Sequence, residues 1–99
     1  MLKTTNFTEK QIAKMGLTLD ELNAIKLAAY HTWQGIGADC EACLGKPLSV
    51  PAMVEVTIDA DHMLSHGNPR GNGMDPALYG KFKTLPYSTM KKIVREAIA

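Results

Sequence analysis

The sequence predicts an all-α protein: a compact bundle of about five short helices forming a single domain over residues 1–99. Three observations carry that expectation. Helix-start signals, each pairing a capping side chain with an apolar staple across it, occur four times. An apolar series from Leu19 to Ile36, taken at helical spacing, follows one helical face. The one segment that alternates as a strand would has no evident partner strand, and an isolated strand is unstable in water. With 45% hydrophobic and 21% charged residues the chain has ordinary globular composition, which sets aside disorder and low-complexity behaviour.

Taken in order, Thr8 caps a helix from Glu9 to Met15, Gln11 reaches back to complete the capping box, and Phe7 packs on Ile12. Gly16 supplies a left-handed stop. Thr18 opens the second helix, with Glu21 at the box position, Leu17 against Leu22, and Leu19, Leu22, Ile25, Ala29, Trp33 and Ile36 along one face. Gly35 and Gly37 each cost a helix about 1 kcal/mol, so the helix is expected to fray or bend there before a further turn or two through Leu44 and Gly45.

The next segment supports two readings. Val54, Val56, Ile58 and Ala60 alternate with Glu55, Thr57, Asp59 and Asp61, as a half-buried strand over residues 53–61 would. Against this, Ser49 as cap, Pro51 in the first turn and a Leu48–Met53 staple announce a helix with Met53, Val56, Ala60, Met63 and Leu64 inward. Helix is the preferred reading; a strand paired across a dimer is the alternative. Residues 66–73, HGNPRGNG, form the one evident flexible loop. Asp75 then caps a helix that begins at Pro76, staples Met74 to Tyr79 and reaches about Lys83. Leu85 and Pro86 break the run, and a last helix carries Met90, Ile93, Val94 and Ala97 on one face. Met15, Met53, Met63 and Met90 all fit core positions, which leaves few methionines for an adaptable contact surface.

Eleven bases against ten acids set aside a strongly acidic nucleic-acid mimic and an overall basic coat protein. The distribution is nonetheless uneven. Residues 49–66 hold three acids and no base, whereas residues 67–99 hold six bases and two acids. A basic last helix can complement the helix dipole, pair with the acidic middle segment or face a polyanion. The opening MLKTTNFTEK lacks the apolar run of a signal peptide, and no stretch approaches the roughly 18 apolar residues of a membrane span. Two cysteines are too few for a secreted disulfide framework. These features lead us to expect a cytoplasmic protein with no membrane contact.

Three patterns bear on chemistry. The stretch ALYGKFKTLPYSTMKKIVREA resembles a helix-turn-helix over residues 76–98, with Gly80 where two helices must cross closely and Leu85, Met90 and Ile93 at core positions. In that resemblance Ser88, Lys91, Lys92 and Arg95 lie opposite the apolar face and offer donors to phosphates and base edges. It departs from the motif in having Thr84 where glycine is usual and Lys83 where an apolar residue belongs, with Phe82 one place early. Cys40 and Cys43 have the spacing of a zinc knuckle, and His62 and His66 follow at helical spacing, a candidate metal set. The structural reading of the same residues is two small core cysteines and two histidines on a solvated face. Glu55, Asp59, His62 and His66 form one stripe if residues 50–65 are a single helix, and an exposed polar face explains it with the fewest assumptions.

No phosphate-cradling glycine loop and no nucleophile context is present, and a chain this small commits most of its apolar residues to a core. The expectation is therefore a small non-enzymatic protein-binding regulator or inhibitor without a cofactor, whose partner is another protein. The alternatives are a helix-turn-helix DNA-binding protein and a zinc-stabilised binding module. The sequence carries no signal for oligomeric state.

Overall fold

All four expected helix starts are capped in the way the sequence writes them. The computed structural model describes residues 5–46, 48–59, 61–68 and 73–98. In α1 (Glu9–Lys14) the Thr8 hydroxyl accepts from the Gln11 amide at 3.2 Å while the Gln11 side chain accepts from the Thr8 amide at 2.8 Å. In α2 (Leu19–Leu44) Thr18 and Glu21 close the same reciprocal box at 3.1 and 2.9 Å. Between them Gly16 adopts φ 75°, the left-handed conformation that stops α1. Ser49 accepts from the Ala52 amide at 3.4 Å at the start of α3 (Val50–Asp59). Asp75 accepts from the Ala77 amide at 3.2 Å at the start of α5 (Pro76–Lys83), where Pro76 fills the first helical position. α4 (His62–His66) and α6 (Tyr87–Ile98) complete the bundle, and there is no strand among the described residues.

Three details differ from expectation. The helix anticipated after Ser49 is two helices, so among the described residues six elements replace about five. Asp61 takes φ 54°, a conformation an aspartate tolerates better than most residues, and so separates α3 from α4. Contacts from α5 and between the two helices themselves hold that break. The Tyr79 hydroxyl of α5 donates to the Asp61 carboxylate, Lys83 approaches it at 3.6 Å, and His62 Nδ1 lies 2.9 Å from the Val56 carbonyl. Second, the inward face of α3 is Met53, Val54, Thr57 and Ile58, with Val56 half-buried and Leu64 of α4 exposed. The expected set was rotated because α3 packs against both α2 and α6, a choice of flank that amphipathic spacing cannot specify. Ala60, part of that expected set, lies outside the described residues.

Third, α2 runs unbroken through Gly35 and Gly37 and ends at Gly45, whose φ is 74°. Ile36 is buried between the two glycines, and a Cβ on Gly37 would sit in ordinary contact with Met53 and Trp33. Packing on this stretch therefore offsets the intrinsic glycine cost of about 1 kcal/mol per residue.

The 26 residues of α2 span roughly 39 Å at 1.5 Å per residue, which accounts for the long axis of a molecule measuring 42 × 24 × 23 Å. α1, α3, α4, α5 and α6 pack around it, and α6 wedges against both α2 and α3. Leu22, Ile25, Ala29, Met63, Phe82 and Ile93 are fully buried at their meeting point. Beyond Gly37, the described side chains from Ala38 to Leu44 are exposed, so the last turns of α2 project past the core.

Close backbone approach fixes the end of the glycine-rich connection. A Cβ on Gly73 would fall 1.4 Å from the Leu64 carbonyl oxygen, and the following Met74 amide bonds the Met63 carbonyl at 3.3 Å. Residues 69–72 of the expected flexible loop lie outside the described residues. Gly73→Ala is expected to cost about 2 kcal/mol, because backbone must move to admit the methyl group. Gly80 is the contrast. A Cβ there meets nothing within 4 Å, so Gly80→Ala should stabilise α5 by about 0.5 kcal/mol. Urea denaturation of the two variants checks both signs.

Candidate functional site

The N-terminal segment and α1 lie beside α6, and the connection between α5 and α6 closes one end of the trough between them. The resulting groove, about 540 Å³, has Phe7, Met15, Leu85 and Pro86 as its apolar lining and Lys14 and Lys92 on its rim. A second depression of about 460 Å³ continues it along α6, sharing Phe7, Gln11 and Lys92 and adding Arg95 and Glu96. Lys14, Lys92 and Arg95 are all exposed. Gln11 is held in place by its role in the α1 capping box, so this wall is set by a local hydrogen-bond pattern.

A buried ion pair anchors the same wall. Lys26 of α2 is 1% exposed, and its ammonium lies 2.6 Å from Glu96 Oε1, whose side chain is 15% exposed. The other oxygen, Glu96 Oε2, accepts from the Asn6 amide at 3.0 Å. Glu96 thus ties α6 to α2 and draws the segment bearing Phe7 against α6. Burial pushes the Glu96 carboxyl up, but hydrogen bonds from Lys26, the Thr5 hydroxyl and the Asn6 amide outweigh it and hold the group below its ordinary value. The acid inside the groove is accordingly committed to the fold, and the rim is basic.

The other flank of α6 is acidic. Asp59 accepts from the Tyr87 hydroxyl at 3.0 Å, and burial, with Asp59 and Glu55 nearby, pushes the Tyr87 hydroxyl up. Asp61 sits beside Tyr79 and Lys83, and the hydrogen bond from Tyr79 leads the effects that keep its carboxyl below the usual range. The acidic middle segment therefore meets the basic C-terminal third through Lys83 of α5, while the last helix reaches it through the Tyr87 hydroxyl and not through one of its bases. Lys81 pairs with Glu21 of α2 at 2.5 Å as well.

Of the residues singled out for nucleic acid, Ser88, Lys92 and Arg95 are exposed opposite the buried face of α6, while Lys91 is half-buried with its ammonium 5.1 Å from the Tyr87 ring centre. The turn Thr84–Leu85–Pro86 has the length of a helix-turn-helix connection. The pair is nonetheless mounted differently: α5 packs on α2 and α4, α6 packs on α2 and α3, and the two have no extensive mutual contact. Gly80, expected to permit a close crossing, faces open space.

The metal candidates are spread along the molecule. His62 and His66 share α4, their ring centres 6.1 Å apart, with His66 Nδ1 2.9 Å from the Ser65 hydroxyl. The end of α4 touches α2 at Ala28, since a Cβ on Gly67 would lie 3.0 Å from the Ala28 methyl. Cys43 is exposed about four turns further along α2, roughly 22 Å away. Zinc ligands sit within about 2.3 Å of a common ion, so this fold does not bring Cys43 to His66. The side chain of Cys40 lies outside the described residues. Among the described residues no three histidine, cysteine or carboxylate side chains converge as a metal site. The expected stripe of Glu55, Asp59, His62 and His66 is divided by the turn at Asp61.

Sequence reasoning missed Lys26 and Glu96. The signal was present: Lys26 stands four residues after Leu22 and three before Ala29, inside the apolar face of α2. Its charge concealed the spacing.

Fold and surface together define a small all-α bundle with an apolar groove edged by bases. The chain matches no protein-family model, no curated protein and no solved structure, and no helix among the described residues is long and apolar enough to cross a membrane.

Proposed function

We propose that the protein is a non-enzymatic regulator or inhibitor of the cytoplasm that acts by capturing a segment of another protein in the groove between α1 and α6. The observation that carries this reading is the groove itself: an open apolar lining of Phe7, Met15, Leu85 and Pro86 beside a charged rim. Partner recognition commonly sets apolar anchors inside a polar border, and grooves of this form accept helical segments. DNA binding through α6 is the second reading, favoured by the exposure of Ser88, Lys92 and Arg95 on one face. The acids Glu55 and Asp59 near Tyr87 weigh against it, because they would stand beside a phosphate backbone laid across α6.

Thr89→Trp tests the first reading, since Thr89 lines the groove and is only half-buried, and an indole there fills the trough. Peptides selected against the protein from a random-sequence display library are expected to lose binding to this variant while its melting temperature stays near that of the parent. Selected peptides that bind both forms equally, or a selection that yields none, would overturn the groove as the working surface. A double-stranded oligonucleotide bound with a steep salt dependence and released by alanine at Lys91, Lys92 and Arg95 would establish the second reading in its place.

A further inference from the structure

The charges around the groove point to the chemistry of its occupant, an inference that rests on the groove being the binding surface. Among the described residues three bases edge the two joined depressions: Lys14 from α1, and Lys92 and Arg95 from α6. The one acid among the described lining residues, Glu96, is engaged by Lys26 and the Asn6 amide. Lys14, Lys92 and Arg95 have their charges at the surface, whereas Lys81 and Lys83 on α5 are drawn to Glu21 and Asp61. Along this one trough the basic excess is therefore not answered by the acid in its own wall.

Shape narrows the choice further. The lining residues on α6 run from Thr89 to Glu96, about two helical turns or roughly 10 Å of axis. The apolar portion lies at the end formed by Met15, Leu85 and Pro86, and the charges continue past it along α6. A polyanion without apolar groups would leave that end unfilled, and a purely apolar helix would desolvate the rim without compensating it.

We propose that the groove receives an acidic amphipathic helix of a partner protein. About two turns of it lie alongside α6, with one large apolar side chain on Phe7, Met15 and Leu85 and carboxylates facing Lys14, Lys92 and Arg95. Charge complementarity of this kind steers encounter and sets orientation, while the apolar anchor supplies most of the residence time.

The test uses two synthetic helix-forming peptides of roughly 15 residues, long enough to be partly helical in isolation. Both carry the same leucine and phenylalanine face; one is flanked by glutamates and the other by lysines. Fluorescence polarisation with the full chain should show the glutamate peptide binding at least roughly tenfold more tightly than the lysine peptide, with the preference shrinking between about 50 and 300 mM salt. The double variant Lys14→Glu/Lys92→Glu, both sites exposed, should reverse the preference, and its unchanged circular-dichroism melting keeps the comparison fair.

Equal binding of both peptides, blocked by Thr89→Trp, would overturn the acidic assignment and leave the groove reading standing. Binding of neither, together with a failed peptide selection, would sink both. Two further results would overturn the proposal by naming another occupant. One is a concentration-dependent dimer in sedimentation that Lys92→Glu abolishes, which gives the groove to a second copy. The other is duplex DNA bound where the glutamate peptide is not.

Discussion

Glu96→Ala is expected to destabilise the protein by about 3 kcal/mol or more, because it removes a carboxylate that both pairs with Lys26, whose side chain is 1% exposed, and accepts from the Asn6 amide. For a domain of this size that corresponds to a fall in melting temperature of roughly 12 °C or more. Lys26→Met should cost markedly less. Methionine keeps the aliphatic packing of the lysine stem, and Glu96, bonded to the Asn6 amide and closer to the surface, retains a partner and some water. A double variant, Lys26→Met/Glu96→Leu, is expected near the parent stability or above it, since an apolar pair of similar volume avoids desolvating two charges. The ordering of the three variants in urea denaturation is the check; a Glu96→Ala protein as stable as the parent would show that the pair does not bind the helices together.

The same pair gives the stability a pH dependence. The native Glu96 carboxyl is held below its ordinary value, so the unfolded chain takes up that proton first as pH falls. Its contribution is complete above the unfolded value of about 4.3 and is lost as pH drops through the lower native one. Melting curves of the parent should thus steepen their decline below about pH 4.3, and Glu96→Gln should flatten that part of the profile.

Phe82→Ala is the second large effect, expected to cost about 4 kcal/mol. Phe82 is fully buried and is the one buried residue of α5, the helix that otherwise meets the bundle through half-buried Leu78 and Tyr79. Removing the ring leaves a cavity beneath a short helix whose other ties are surface groups. The loss should be accompanied by release of Tyr79 from Asp61, and with it the support for the turn between α3 and α4. Hydrogen exchange in α5 and α4 rising well ahead of exchange in α2 and α6 would display that local undocking. If instead all helices exchange together, α5 is integral to a single cooperative unit and not a separately held cap.

The helical class and nearly every helix start were legible in the chain because their causes are local. Thr8 with Gln11, Thr18 with Glu21 and Asp75 with Pro76 and Ala77 each settle a terminus within four residues, by hydrogen bonds that form in the first turn. The inward positions of α6 were equally readable: Met90, Ile93, Val94 and Ala97 are buried as their spacing implies. α3 was harder, since its apolar residues satisfy both a period of two and a helical face. What decided its buried side was contact with α2 and α6: Val54 and Ile58 are buried, and Val56 packs on the core only from its edge.

The sequence by itself determined where helices begin, which kind of element forms and where net basic charge accumulates. Tertiary structure alone decided the turn at Asp61, the burial of Lys26 and the existence of the groove. The physical reason is separation along the chain. Asn6 and Glu96 stand 90 residues apart and Lys26 and Glu96 stand 70 apart, so no local pattern encodes their meeting; it follows only when α1, α2 and α6 pack, and only that packing sets Phe7, Leu85 and Lys92 around one trough.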